Sequence, residues 1–307
     1  MEYMNPIRGI ALKVTAVALF AVMVACVKAA RESVPAGETV FFRSFIALLP
    51  VMLWAWVAGE LRQAVFTSNI KGHAWRGVVG ATAMVLSFSA LGLLPLPEVT
   101  AIGFSAPLMT TVMAVFLLGE TVRIYRWSAV VIGFCGVMVM IWPRLGGTGG
   151  EVTAEEGFGV LVALAAAFMM AFAVITVRLL ARTEHTMAIV FYFHVCCSLA
   201  ALVTVPWGWV WPDLATWGLL IGAGLFGGLG QIVLTHSYRH ADASTIAPFD
   251  YTMMLFALAT GWFLFDEVPT APVLTGAAIV IAAGLYILMR ERRLGLSAPA
   301  PLRRNTP

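Results

Sequence analysis

Three ionisable side chains stand in this sequence within largely apolar runs. Arg43 interrupts "ETVFFRSFIALLPVMLWAW" at 38–56, His194 lies in "FYFHVCC", and Asp250 lies in "IAPFDYTMM". A charge set in hydrocarbon costs a few kcal/mol or more, so such residues face a partner, water or a ligand. Arg43 lies six residues past Gly37, about 9 Å into a helix that starts there. Two readings are open for it. It snorkels to the headgroups, or it points inward and holds an acid or the carboxylate of a substrate, as its planar fork allows. Phe41, Phe42 and Phe45 flank it and offer faces for stacking. Asp250 follows Pro248, which removes a helix hydrogen bond and opens the backbone. With Tyr251 beside it, Asp250 suits a polar substrate group or a proton. The other reading is an interfacial acid satisfied by water or by Arg239. His194 titrates near neutrality, which fits a coupling group, and equally fits an interhelical hydrogen bonder. Gln231 and His236 share its ambiguity. Tyr192 and Tyr238 each sit beside a polar residue and join Tyr251 and Phe42 as candidate cavity groups.

A second set sits where a gate would be. Lys28, Glu38 and Glu98 lie at expected outer ends of helices, and either acid could pair with Lys28 or Arg31. Both acids are also well placed at helix N-termini. Pro107 and Pro248 interrupt apolar runs and predict kinks. Other patterns lead nowhere. "GAGLFG" at 222–227 fits a dinucleotide fingerprint in letters only, since it lacks a strand before it and an aqueous helix start. Small residues at that spacing let membrane helices approach closely. Cys26, Cys135, Cys196 and Cys197 all lie in apolar runs without metal-ligand spacing. No metal, cofactor or nucleic-acid partner is expected. HExxH, Asp-rich and nucleophile-elbow patterns are missing, which weighs against a membrane-embedded enzyme. Polar rings and a soluble output domain are missing too, which weighs against a channel or sensor.

The elements that must position these residues follow from composition. The chain has 307 residues, 61% hydrophobic and 11% charged, against about half and about a quarter in soluble domains. It is an all-α integral membrane protein. Spanning the hydrocarbon takes about 20 apolar residues. Ten segments qualify, the fifth being short: 9–29, 37–58, 74–94, 97–118, 127–142, 157–180, 186–206, 214–238, 243–265 and 271–290. The first is read as a span and not a removed leader, because the pattern recurs downstream. The tryptophans cluster near the expected span ends as an interfacial belt. With the N-terminus inside, only Lys28, Arg31 and Arg144 fall outside, and Arg43 falls within a span. The other fifteen of the 19 Lys and Arg fall on the inner side. Positive loops stay cytoplasmic, so both termini are expected inside.

The chain also repeats itself. Shifted by 147, "GVVGATAMVLSFSALGLL" (77–94) falls on "GLFGGLGQIVLTHSYRHA" (224–241), and "FLLGE" (116–120) falls on "FLFDE" (263–267). Shifted by 150, "VKAA…VFFRS" falls on "VRLL…VFYFH", which sets His194 one position from the counterpart of Arg43. Five spans per half is odd, so the halves are expected in opposite orientation, with Glu120 inside and Glu267 outside. The units are 1–145 and 157–293, joined by an outer linker at 146–156 and followed by a disordered inner tail at 294–307. Inverted repeats are a mark of secondary transporters, because two such halves can exchange conformations around a shared site.

Two sets of five spans, with "FLLGE" closing the fourth and "APFDYT…FLFDEVP" on the ninth, resemble the drug/metabolite transporter superfamily. More narrowly they resemble its EamA-type ten-helix branch, over about residues 9–290. The resemblance implies a central cavity, alternating access and a place in a bacterial cytoplasmic membrane. It implies small substrates such as amino acids or their derivatives and vitamins such as riboflavin. Export is commoner in that family, while riboflavin and S-adenosylmethionine carriers import. Coupling would come from protons or a substrate gradient, in a monomer or homodimer. One departure is "FDE" at 265–267, where the family more often has Gly before Glu.

Overall fold

The computed structural model describes residues 5–119, 123–145, 153–241 and 243–294. Glu120, most of the expected linker and almost all of the expected tail lie outside the described residues. All regular elements among the described residues are helical. The first half holds α1 (Pro6–Ala30), α2 (Ala36–Val57), a short α3 (Leu61–Val65), α4 (Ile70–Leu93), α5 (Leu96–Gly103), α6 (Ala106–Leu118) and α7 (Ile124–Ile141). The second holds α8 (Ala154–Leu180), α9 (Thr186–Leu202), α10 (Leu214–His240), α11 (Ala243–Ile246), α12 (Thr252–Phe265) and α13 (Ala271–Arg293). Eight stretches are long and apolar enough to cross a membrane, with α5 and α6 counted together. The apolar α9 and α12 are shorter, at 17 and 14 residues.

Helix starts follow local chemistry. The side chains of Asn5, Asn69, Thr153 and Asp213 each accept a backbone N–H of the first turn of α1, α4, α8 and α10, which satisfies donors the helix leaves orphaned. Glu155 and Glu156 add negative charge to the first turn of α8, at the positive end of its dipole.

The fourth expected span is not one kinked helix. It breaks at Phe104 and Ser105, ahead of Pro107. Pro107 offers no N–H, and its ring clashes with the carbonyl four residues back, which is that of Gly103. The Ser105 hydroxyl repairs part of the break by donating to the Ile102 carbonyl at 2.7 Å. The ninth span breaks in the same region of its half. A 3-10 turn over Ala247–Tyr251 carries Pro248 in its first turn and separates α11 from α12. Each broken span also ends the same way. Gly119 (φ 67°) and Asp266 (φ 53°) are both left-handed C-caps, and their N–H groups donate to Ala114 and Gly261. All three correspondences respect the 147-residue shift.

Packing follows the duplication. α1 lies along α10 as α4 lies along α8, and α2 lies against α10 as α9 lies against α4. α2 meets α9 and α7 meets α13, so each of these touches its own counterpart, and α5 of the fourth expected span meets α12 of the ninth. That is the arrangement a two-fold relation between the repeats produces. Between α7 and α13, Gly136 and Gly276 bring the backbones so close that a Cβ on Gly276 would strike the Gly136 carbonyl. Large apolar side chains such as Phe45, Leu49, Phe116 and Phe263 remain exposed. On a helical bundle of this length they form a lipid-facing surface.

Candidate functional site

Arg43 points into the protein and does not snorkel: it is 7% exposed. Its guanidinium lies among helices from both halves. Nη2 approaches the Met23 sulfur of α1 at 3.5 Å, and Nη1 the Met84 sulfur of α4 at 3.8 Å. Room for it is left by Gly227 of α10, where a Cβ would sit 3.1 Å from Nε. "GAGLFG" is therefore a packing face, as its small residues predict, and it also cradles an arginine. His194 on α9 is 1% exposed, and neither ring nitrogen has a partner. α2, α4 and α9, which carry Arg43, Arg76 and His194, pack against one another. The sequence brings Arg43 and His194 to related positions, and the fold brings them together.

Phe42 and Tyr192 turn elsewhere. Phe42 packs edge-on to Trp217 at 4.6 Å and near Trp209, in an aromatic group at the start of α2 and α10. Tyr192 donates its hydroxyl to the Val65 carbonyl at 2.7 Å and stacks on His73 at 4.7 Å. Both are bound into the scaffold. Gln231 is half-buried on α10.

A second polar group forms at the broken ninth span. Asp250 pairs with Lys13 of α1 at 2.6 Å, and Lys13 lies over the Tyr238 ring at 5.7 Å. Lys13 is 2% exposed, so it is an internal partner and not the flanking charge its position suggests. Tyr251 meets Phe104 edge to face at 5.2 Å, and its hydroxyl rests against Gly284 of α13. The two helix breaks thus touch each other.

The end of the bundle that holds Lys28 is tied shut by charge. Lys28 pairs with Glu267 at 2.7 Å and donates to the Leu91 and Leu94 carbonyls at 3.2 Å each. The other carboxylate oxygen of Glu267 accepts the Leu96 N–H at 2.7 Å, at the start of α5. The pairings expected for Glu38 and Glu98 are not formed. Glu98 binds Arg144 at 2.8 Å, and Arg144 also holds Glu156. Glu38 accepts the Val210 N–H at 3.1 Å. Arg31 donates instead to the Phe88 carbonyl in the last two turns of α4 and to the Val34 carbonyl just ahead of α2. A shallow groove with no room for a water lies beside Glu98 and Arg144, lined by Ile102, Met140, Val160 and Val273.

At the opposite end, Glu184 fastens α8 to α4. It accepts Thr67 at 2.7 Å and Ser68 at 2.8 Å, and faces His73 Nε2 at 3.2 Å. Burial alone would raise its pKa. These hydrogen bonds and the His73 charge outweigh that and lower it to about 2. Arg126 and Glu291 join α7 to α13 at 2.5 Å. Sequence reasoning missed Lys13, Arg76, Glu184 and the pairing of Glu267. The visible signal was position: Lys13 and Arg76 fall a turn or more inside runs that α1 and α4 complete.

A family model for the EamA-like transporter family matches residues 7–142 and again 157–290. A pseudopaline exporter (CntI) of Pseudomonas aeruginosa is 32% identical over 280 residues, covering 90% of this chain and 94% of that protein. An S-adenosylmethionine uptake transporter of Rickettsia prowazekii is 27% identical, covering 83% and 84%. A riboflavin transporter of Vibrio cholerae is 26% identical, covering 94% and 95%. A crystal structure of a 19% identical protein superposes with TM-score 0.65 over 93% of this chain and 98% of that one, which speaks to the fold alone. Two family matches on the two halves of the duplication, with eight apolar spans, make this chain a multi-pass bacterial inner-membrane protein of the EamA-like transporter family.

Proposed function

We propose that the protein is a secondary active transporter that moves a small polar or aromatic metabolite by alternating access. The observation that carries this reading is the meeting of the two broken spans at Phe104 and Tyr251. Interrupted helices at corresponding positions of two repeats mark the substrate site of many transporters. In this reading the chain crosses the membrane ten times as two inverted five-helix repeats, 1–145 and 157–293, with both termini inside. The short α9 and the broken α11–α12 supply the seventh and ninth crossings. Arg43, His194, Asp250, Tyr251, Tyr238 and Gln231 line the path. Lys28 and Glu98 act at the outer gate, and Pro107 and Pro248 allow the broken spans to flex. Tyr192 and Phe42 support the path from behind.

The substrate class is an amino-acid derivative or a vitamin, in line with relatives named for pseudopaline, S-adenosylmethionine and riboflavin. The 32% identity to an exporter favours efflux. Vesicles containing the purified protein, offered those three compounds and a panel of amino acids with and without a proton gradient, test the reading. Gradient-dependent flux of at least one compound is expected. No uptake, efflux or exchange of any would sink it. A C-terminal fluorescent-protein fusion that fails to glow would overturn the inner placement of that terminus.

A further inference from the structure

Two arginines and a histidine sit on three helices that pack against one another inside the membrane region, and among the described residues none of them is paired with an acid. Arg43 comes from α2, Arg76 from α4 and His194 from α9. Among the described residues neither arginine takes part in an ion pair. The carboxylates of Asp250, Glu267, Glu98, Glu156, Glu184 and Glu291 are held by Lys13, Lys28, Arg144, His73 and Arg126. Arg43 Nε, Arg76 Nε and Nη1, both nitrogens of His194 and the Ser44 hydroxyl are all buried without a hydrogen-bond partner.

Their placement obeys the duplication. The 150-residue shift sets Arg43 on Phe193 and Ser44 on His194; the 147-residue shift sets Gly80 on Gly227. Arg43 lies against Gly227, and Phe193 lies against Gly80. The face of Phe193 carries the Arg76 guanidinium at 4.2 Å. A guanidinium of the first half therefore stands at each of two counterpart glycines, Arg43 at Gly227 and Arg76, on the Phe193 ring, at Gly80.

An unpaired buried charge is strongly destabilising for the protein that carries it. A structural role gives no reason to keep two of them together. Recognition of a mobile oxyanion does: a guanidinium fork matches a carboxylate in shape and charge, and His194 and Ser44 add further donors.

We propose that Arg43, Arg76, Ser44 and His194 form a buried site for a carboxylate of the transported molecule. The proposal rests on the transporter reading for the word transported, but the site itself can be tested without transport. Purified protein is melted in sodium chloride, sodium citrate, sodium L-glutamate or sodium phosphate at matched ionic strength, with succinamide as a neutral control. Citrate or glutamate raises Tm over chloride, and succinamide does not. In Arg43→Met and Arg76→Met the apparent affinity for the carboxylate falls roughly tenfold or more. Arg43→Lys keeps part of it, and Lys71→Gln, at the exposed start of α4, keeps all. In chloride alone the two Met variants melt no lower than wild type, because they remove an unbalanced charge. Lower melting in chloride would show a structural role and overturn the site. So would a carboxylate effect absent from wild type or intact in both variants, and stabilisation by phosphate but by neither carboxylate. Flux of a carboxylate-bearing metabolite that is unchanged in both Met variants would also overturn it, while leaving the transporter reading intact. Carboxylate binding with no flux of any compound would do the reverse.

Discussion

Phe104 and Tyr251 are counterparts in the two repeats, 147 residues apart, and their rings meet edge to face at 5.2 Å and 64°. A contact between a residue and its own counterpart lies on the axis that relates the halves. Each ring also sits at the point where its span breaks.

The pair should therefore be energetically coupled. An edge-to-face aromatic pair is worth about 0.5–1.5 kcal/mol beyond its buried area. A double-mutant cycle of Phe104→Ala and Tyr251→Ala, read by thermal melting, should return a coupling of about 1 kcal/mol. Additive losses would show that the rings are merely neighbours.

Lys28→Met should loosen the end that Lys28 and Glu267 hold. Cys26, two residues before Lys28 and half-buried, is a native reporter. Its labelling by a membrane-impermeant maleimide should speed up several-fold in Lys28→Met. The exchange Lys28→Glu with Glu267→Lys should restore the wild-type rate only in part. The exchanged pair regains the charge contact but leaves no carboxylate to accept the Leu96 N–H. Full restoration, or no change in Lys28→Met, would remove this pair from the gate.

Asp266 adopts a left-handed backbone at φ 53° where its counterpart Gly119 has φ 67°. Glycine meets no steric penalty there, while other residues lose roughly 1–2 kcal/mol, somewhat less for Asp. Asp266→Gly should raise stability by about 0.5–1 kcal/mol, and Gly119→Ala should lower it by about 1 kcal/mol. A destabilised Asp266→Gly would show that this carboxylate has a role of its own.

Stability should also fall in acid through Glu184. Its pKa in the folded protein is about 2, below the ordinary 4.5. A group depressed on folding stabilises fully above its unfolded pKa, and the benefit is lost as pH falls through the folded value. Tm should thus drop between about pH 4.5 and pH 2 in wild type, and drop less over that window in Glu184→Gln. At pH 7, Glu184→Ala should cost about 2 kcal/mol, as lost hydrogen bonds to a charged group do.

Eight apolar spans and the duplication were legible because they are written as long-range pattern: apolar length, and letters that recur at 147. Arg43 stood out as a charge deep in an apolar run, but inward and snorkelling directions stayed open until the fold buried it. Partners were not. Lys13 looks like a flanking cation until Asp250, 237 residues later, closes on it at 2.6 Å. Lys28 finds Glu267 and not the nearer Glu38 for the same reason, since helix order in space and not along the chain decides who meets. The break at Phe104 precedes Pro107 because proline's clash is with the preceding turn. Side-chain direction was also unreadable: Tyr192 and His194 are two residues apart on one helix, yet one braces α3 and the other is buried in the interior without a hydrogen bond to its ring.

The clamp around Leu94 has a consequence for timing. Lys28 grips two carbonyls before that turn, Glu267 grips the N–H after it, and the two side chains grip each other. No single bond can be released without leaving the remaining groups strained or unpaired. If the protein alternates access as proposed, opening at this end is a threshold event: a long closed dwell, one abrupt release, and few halfway states. Single-molecule distance records across the end of α5 and α12 would appear as two levels with sharp steps between them, and not as a continuous drift.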